Sequence, residues 1–105
     1  MSHPNTSLPR FDLVVPVYNE EAGLPEFFSR LDKLQLNCQP IFVDNASTDN
    51  SLALLKSYPN AQIIEHAQNE GYGGSLIDGM AAGSSDYIVV IDADCEYPPE
   101  SIPAL

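Results

Sequence analysis

Phe11-Asp12-Leu13-Val14-Val15-Pro16-Val17-Tyr18 is the stretch on which the fold turns. It is β-branched and mostly apolar without strict alternation, the pattern of a strand buried on both faces of a parallel sheet. Directly after it, Leu24, Phe27, Phe28, Leu31 and Leu34 recur at the spacing of one helical face, with Glu20, Glu21 and Pro25 suited to an early helical turn. A buried strand feeding an amphipathic helix is the repeating unit of an α/β sheet.

Working outward, the same alternation returns. Ile41-Phe42-Val43 reads as a strand, and Ser47-Thr48-Asp49 offers capping groups ahead of a helix carrying Leu52, Leu54 and Leu55. Ala61 to Glu65 reads as a third, shorter strand. Gly71, Gly73 and Gly74 read as a loop before a helical stripe of Leu76, Ile77, Met80 and Ala81. Tyr87-Ile88-Val89-Val90-Ile91 is the most apolar run and ends abruptly in Asp92-Ala93-Asp94. Strands separated by helices predict right-handed crossovers and a Rossmann-like parallel sheet with helices on both faces. Ligands of such sheets sit at the carboxyl ends of the strands. The glycines miss the dinucleotide-binding pattern, because Leu76 stands where its last glycine belongs and no first strand precedes them, which argues against a Rossmann dehydrogenase.

The 105 residues fit one small domain, and an apolar fraction of 44% sets the chain apart from disordered sequences. Residues 1–10 read as a disordered or extended segment and 11–105 as the domain. The Pro-rich end at Pro98, Pro99 and Pro103 brings no closing element, so a truncated domain is expected. Fifteen acidic side chains against four basic ones give a net charge of −11, which argues against nucleic acid and anionic membrane surfaces as partners. A phosphorylated ligand must then be met by backbone N–H groups or by a divalent cation. Cys38 and Cys95 form no CxxC pair and read as reduced thiols. With no apolar leader and no run of membrane-spanning length, the chain reads as cytoplasmic.

Three groups of polar residues fall at the carboxyl ends of the expected strands: Tyr18-Asn19-Glu20, Asp44-Asn45 and Asp92-Ala93-Asp94. Asp92 and Asp94, two apart on an extended chain, point the same way and crowd each other unless a cation lies between them. Oxygen-only ligands suit Mg²⁺ or Mn²⁺, and such an ion would bridge to a diphosphate and act as a Lewis acid for a phosphate leaving group. Plainer roles stand beside these: Pro16 as a strand end, Tyr18 as a rim aromatic, Asp44 as a turn residue, Ser47, Thr48 and Asp49 as helix caps. His66 and Cys95 read as structural. An apolar strand ending in Asp92-Ala93-Asp94 also looks like the nucleophile strand of haloacid-dehalogenase-type phosphatases. Those enzymes carry Thr or Val two residues after the second Asp, where this chain has Glu96. A non-catalytic nucleotide-binding module is the third alternative.

Val15-Pro16-Val17-Tyr18-Asn19-Glu20-Glu21, then Val43-Asp44-Asn45-Ala46-Ser47-Thr48-Asp49-Asn50-Ser51, then Asp92-Ala93-Asp94, in this order, resemble glycosyltransferase family 2. Asn69-Glu70-Gly71-Tyr72-Gly73-Gly74, with Ala81-Ala82-Gly83 and Asp86-Tyr87, is similar to the subgroup that moves sugars onto dolichyl or other polyprenyl phosphates. The resemblance implies the nucleotide-sugar-binding N-terminal half of a GT-A domain and an inverting, metal-dependent transfer from a nucleoside-diphosphate sugar. It implies that Pro16, Tyr18 and Glu20 surround the nucleoside, with Glu20 near the ribose hydroxyls and Asp44 on the base edge. Gly73 would meet the donor through backbone N–H groups. Asp92 would lie by ribose or metal and Asp94 would be the principal metal ligand, while Glu96 stands where the subgroup carries Gln or a similar ligand. The acceptor side, the general base and any membrane attachment are expected beyond residue 105, so this chain alone is expected to transfer little sugar.

Overall fold

The first strand, β1 (Phe11–Val17), owes its position to having no polar face: every residue but Pro16 is buried. In the computed structural model, which describes residues 10–93, it is followed by α1 (Leu24–Leu34), β2 (Cys38–Asp44), α2 (Ser51–Ser57), β3 (Gln62–Glu65), α3 (Gly71–Ala82) and β4 (Tyr87–Val90). Residues 1–9 of the expected N-terminal segment, Cys95, and the metal-ligand candidates Asp94 and Glu96 lie outside the described residues. The strands pair in the order β3-β2-β1-β4, all parallel, with Val17 opposite Asp44 and Val14 opposite Val90. The chain winds from β1 to β3 in one direction and returns to the other side of β1 for β4. β1 and β4 therefore flank a switch point, where crevices open in sheets of this kind.

Alternate residues of β1 serve the two faces. Phe11, Leu13, Val15 and Val17 share a core with Leu24, Phe27 and Leu31 of α1, Phe42 of β2 and Leu55 of α2. Phe28, Phe42 and Tyr58 close its edge, with ring centroids 4.7 to 5.7 Å apart. On the opposite face Val14 and Val43 meet α3 at Gly79. The expected architecture of helices on both faces is present. Asp12, a carboxylate buried to 1% exposure, accepts hydrogen bonds from the N–H and hydroxyl of Ser85, both at 3.0 Å, and so ties the approach to β4 onto β1.

One expectation changes. The glycines assigned to a loop belong to α3, which begins at Gly71. Gly71 enters at φ +76, a conformation other residues adopt only with strain, and packing onto the sheet overrides the low helical propensity of glycine. The most apolar run of the sequence forms β4, an edge strand on which Tyr87, Ile88 and Val90 are exposed among the described residues. Smaller shifts shorten β1 at Val17, β3 to Gln62 and β4 at Val90.

A methyl group on Gly79 would stand 2.5 Å from Val14 Cγ1 and 3.2 Å from Val43 Cγ2, so α3 lies on the sheet only because this residue lacks a side chain. Gly79→Ala is expected to destabilise the fold by about 1–3 kcal/mol in urea unfolding. Gly73→Ala, whose methyl meets nothing within 4 Å, is expected to show no such loss.

Candidate functional site

Hydrogen bonds of the sheet run one residue past the strands and so set the rim. Asn45 N–H donates to the Val17 carbonyl at 2.9 Å, His66 N–H to that of Asp44 at 2.9 Å, and Ile91 N–H to that of Val14 at 3.1 Å. Above these ends opens a cavity of about 330 Å³. Pro16, Val17, Tyr18 and Glu20 line one side, Asn69, Gly71, Tyr72 and Ser75 another, and Asn45, Asp92 and Ala93 the remainder. No Lys or Arg is among the lining residues.

The β1–α1 loop has no ladder to hold it and borrows side chains from the β2–α2 loop. The N–H groups of Asn19, Glu20 and Glu21 donate to Ser47 Oγ at 3.0 Å, Ser51 Oγ at 2.8 Å and Asp49 Oδ2 at 3.2 Å. In return Asn19 Oδ1 accepts the Thr48 N–H at 2.8 Å. Ser47 and Thr48, expected to cap α2, instead join the two loops, because their partners come from a segment 28 or 29 residues away. The N-cap position of α2 falls on Asn50, which makes no side-chain cap bond. Asp49 does both jobs, accepting the N–H of Ser51 on Oδ1 at 2.9 Å while Oδ2 holds Glu21. Asn19 and Ala46 adopt left-handed backbone at φ 50 and 62, strain that these bonds maintain.

On the far side, Asn45 is the hub. Its amide nitrogen donates to Asn69 Oδ1 at 3.0 Å, and its Oδ1 accepts the Glu70 N–H at 2.8 Å and meets His66 Nδ1 at 3.1 Å. These bonds set the start of α3 against the strand ends. The Tyr72 hydroxyl pKa is raised above its ordinary value, first by desolvation and then by the charge of the neighbouring Asp92 carboxylate and hydrogen bonding to it.

Of the residues the sequence singled out, Pro16, Tyr18, Glu20 and Asp92 line the cavity together. Asp44 lies at the same rim but is buried to 2% exposure, and its Oδ1 has no hydrogen-bond partner among the described residues. Gly73 is exposed in the first turn of α3 and is not among the lining residues, whereas Gly71, Tyr72 and Ser75 are. Asp94 and Glu96 lie outside the described residues. Sequence reasoning passed over Ser75, whose fully buried Oγ also lacks a partner, because a serine inside a helix carries no local signal of facing a cavity. A second cavity of about 360 Å³ opens between Arg10, Asp32, Cys38, Gln39, Tyr58 and Asn60. Burial pushes the Cys38 thiol there up to about 11, so it remains protonated and a poor nucleophile.

The family model for glycosyl transferase family 2 matches residues 12–105. The chain belongs to glycosyltransferase family 2. Among family 2 relatives, an undecaprenyl-phosphate 4-deoxy-4-formamido-L-arabinose transferase of Aeromonas hydrophila is 34% identical over 96% of this chain and 34% of its own length. A dolichol-phosphate mannosyltransferase of Pyrococcus furiosus is 37% identical over 91% of this chain and 29% of its own. The family 2 chain thus spans about a third of the curated relatives it matches. A mannosyltransferase from Pyrobaculum calidifontis, solved with GDP-Man and Mn²⁺, superposes with a TM-score of 0.77 at 23% identity, over 92% of this chain and 31% of that one. A glucosyl-3-phosphoglycerate synthase from Mycobacterium tuberculosis, solved with Mn²⁺, UDP and glucosyl-3-phosphoglycerate, gives 0.69 at 24% identity, over 87% and 36%. These likenesses establish the GT-A fold. Membership in family 2 displaces the phosphatase alternative for Asp92.

Hydrogen bonds from the Ser51 hydroxyl, and then from the N–H groups of Ser51 and Glu21, hold the Asp49 carboxyl below its ordinary value of 3.8. A lowered value means the folded loop favours the charged form. The stabilisation is therefore present above 3.8 and is lost as pH falls through the lower folded value. In an NMR titration the Glu21 amide is expected to move with a midpoint below 3.8, a transition absent from Asp49→Asn. A midpoint at or above 3.8 contradicts the staple.

Proposed function

We propose that this chain is the donor-binding part of a metal-dependent, inverting glycosyltransferase that moves a sugar from a nucleoside-diphosphate sugar to a polyprenyl phosphate. The observation that carries the proposal is the cavity at the β1–β4 switch point, lined by the carboxylates of Glu20 and Asp92 and by no basic side chain. A diphosphate brought to this wall meets like charge and needs a cation to mediate. The acidic, oxygen-rich donor set fits a hard divalent ion, with Asp92, Asp94 and Glu96 as its ligands and Mg²⁺ or Mn²⁺ as the ion. Such an ion, when bound, supplies charge neutralisation for the departing nucleoside diphosphate.

The remaining roles belong to this chain's own groups. Pro16 and Tyr18 form the wall on which the nucleoside rests, and Glu20 accepts from the ribose hydroxyls. Asp44 Oδ1, buried and without a partner, awaits an N–H donor such as a base edge, since an unmet buried carboxylate oxygen is costly. The first turn of α3, Gly73 included, turns N–H groups with positive dipole toward a phosphate, and the unpartnered Ser75 hydroxyl adds a donor beside it. Two features support the lipid-phosphate acceptor: the names of the relatives, and the absence of any need for a general base when the attacking phosphate oxygen is already ionised. Work on such an acceptor sets the protein at the cytoplasmic face of a membrane. Among the described residues no helix is long and apolar enough to cross one.

Calorimetric titration of GDP-, UDP- and dTDP-sugars with and without Mn²⁺ tests this. Binding of one donor class is expected only with Mn²⁺. Asp92→Asn is expected to weaken it tenfold or more, on the order of 1.4 kcal/mol. Equal affinity in EDTA, or an Asp92→Asn variant as tight as the parent, overturns the proposal.

A further inference from the structure

Behind the cavity wall, three Lewis bases converge on one point, and none is used by the function proposed above. His66 follows β3 directly, Glu70 precedes α3 and Asp78 lies within α3. One ligand atom from each falls within 4.8 Å of the others. Nε2 of His66 stands 2.7 Å from Asp78 Oδ2 and 3.8 Å from Glu70 Oε2.

The hydrogen bonds around the ring decide what Nε2 presents. A backbone N–H can only donate, so the Asn45 atom that meets the Glu70 N–H at 2.8 Å is an oxygen. That oxygen accepts from His66 Nδ1 at 3.1 Å, so Nδ1 carries a proton, and Nε2 is turned to Asp78 Oδ2 at 2.7 Å, a hydrogen-bond distance. Nε2 and the two carboxylates at these distances must share a proton or a metal ion. An imidazole held through its other nitrogen by a side-chain carbonyl is the arrangement by which proteins orient histidine toward a metal.

We propose that His66, Glu70 and Asp78 bind a Zn²⁺ ion that locks the start of α3 to the ends of β2 and β3. The nitrogen ligand favours Zn²⁺ over the oxygen-seeking Mg²⁺ proposed at the cavity. Zinc bonds near 2.0–2.1 Å in a tetrahedron put neighbouring ligand atoms about 3.3 Å apart, between the two spacings seen here. The Asp78 and Glu70 side chains are 43% and 50% exposed, which leaves them free to adjust and the ion an open path from solvent. The ring is buried at 4% and supplies the fixed point. Water completes the fourth position. Because Asn45 both orients His66 and lines the cavity, the ion would hold the wall of the donor site from behind. The proposal does not depend on which sugar or nucleotide the cavity takes.

The test is addition of Zn²⁺ alone to the metal-free chain labelled with ¹⁵N-histidine. One equivalent is expected to shift the Nε2 resonance of His66 and to raise the melting temperature. Asp78→Asn, at a partly exposed helical position that does not threaten the fold, is expected to weaken Zn²⁺ binding at least tenfold, as is His66→Gln if it folds. A His66 ring unmoved at saturating Zn²⁺, or unchanged Zn²⁺ affinity in Asp78→Asn, shows that a proton rather than a metal joins these groups and overturns the site.

Discussion

A loop that carries a binding site lies beyond the last rung of the sheet and must find its hydrogen bonds elsewhere. In this chain the β1–α1 loop finds them in the β2–α2 loop: Ser47, Asp49 and Ser51 supply acceptors for three successive N–H groups. Each such bond contributes on the order of 1 kcal/mol net, comparable to the left-handed strain at Asn19 and Ala46 that it maintains. Tyr18 and Glu20 hold their places at the cavity because neighbours in space, not in sequence, fix the backbone beneath them. The same logic governs the opposite wall, where Asn45 gathers Asn69, Glu70 and His66.

Electrostatics then decides what such a cavity accepts. With a net charge of −11 and carboxylates at the rim, the chain repels an anionic ligand over the range that salt leaves unscreened, about 8 Å at physiological ionic strength. A bound cation would reverse that field locally, and the first turn of α3 would add positive dipole at the same place. α3 reaches the sheet closely enough because Gly79 meets Val14 and Val43 without a side chain between. Packing on one face of β1 thus bears on binding at its end.

Much of this was legible in the sequence. Hydrophobic periodicity located the strands and helices, since a strand buried on both faces has no polar alternation and α1 shows its apolar stripe openly. The polar groups that end β1, β2 and β4 could be assigned to one rim because parallel strands bring their carboxyl ends together. Less legible were features set by long-range contact. The glycines of α3 read as loop because local propensity opposes a helix that packing imposes. Ser47 and Thr48 read as caps because nothing local announces a partner 28 or 29 residues away. The order of pairing, which places the apolar β4 at an edge among the described residues, has no local signal. Ser75 and the three-residue cluster at His66 became visible only once helix, strand end and loop were in place.

The central claim is that a divalent ion and a nucleoside diphosphate meet at the carboxyl end of β4 beside the β1–α1 loop. Paramagnetic broadening by Mn²⁺ reports this directly, because it falls off steeply with distance from the ion. With a nucleoside diphosphate present, trace Mn²⁺ is expected to broaden the amides of Glu20, Tyr72, Asp92 and Ala93 and to spare Cys38 and Asn60 at the opposite end. Broadening centred on Cys38 and Asn60, or a pattern at the rim that the nucleotide leaves unchanged, would contradict the account.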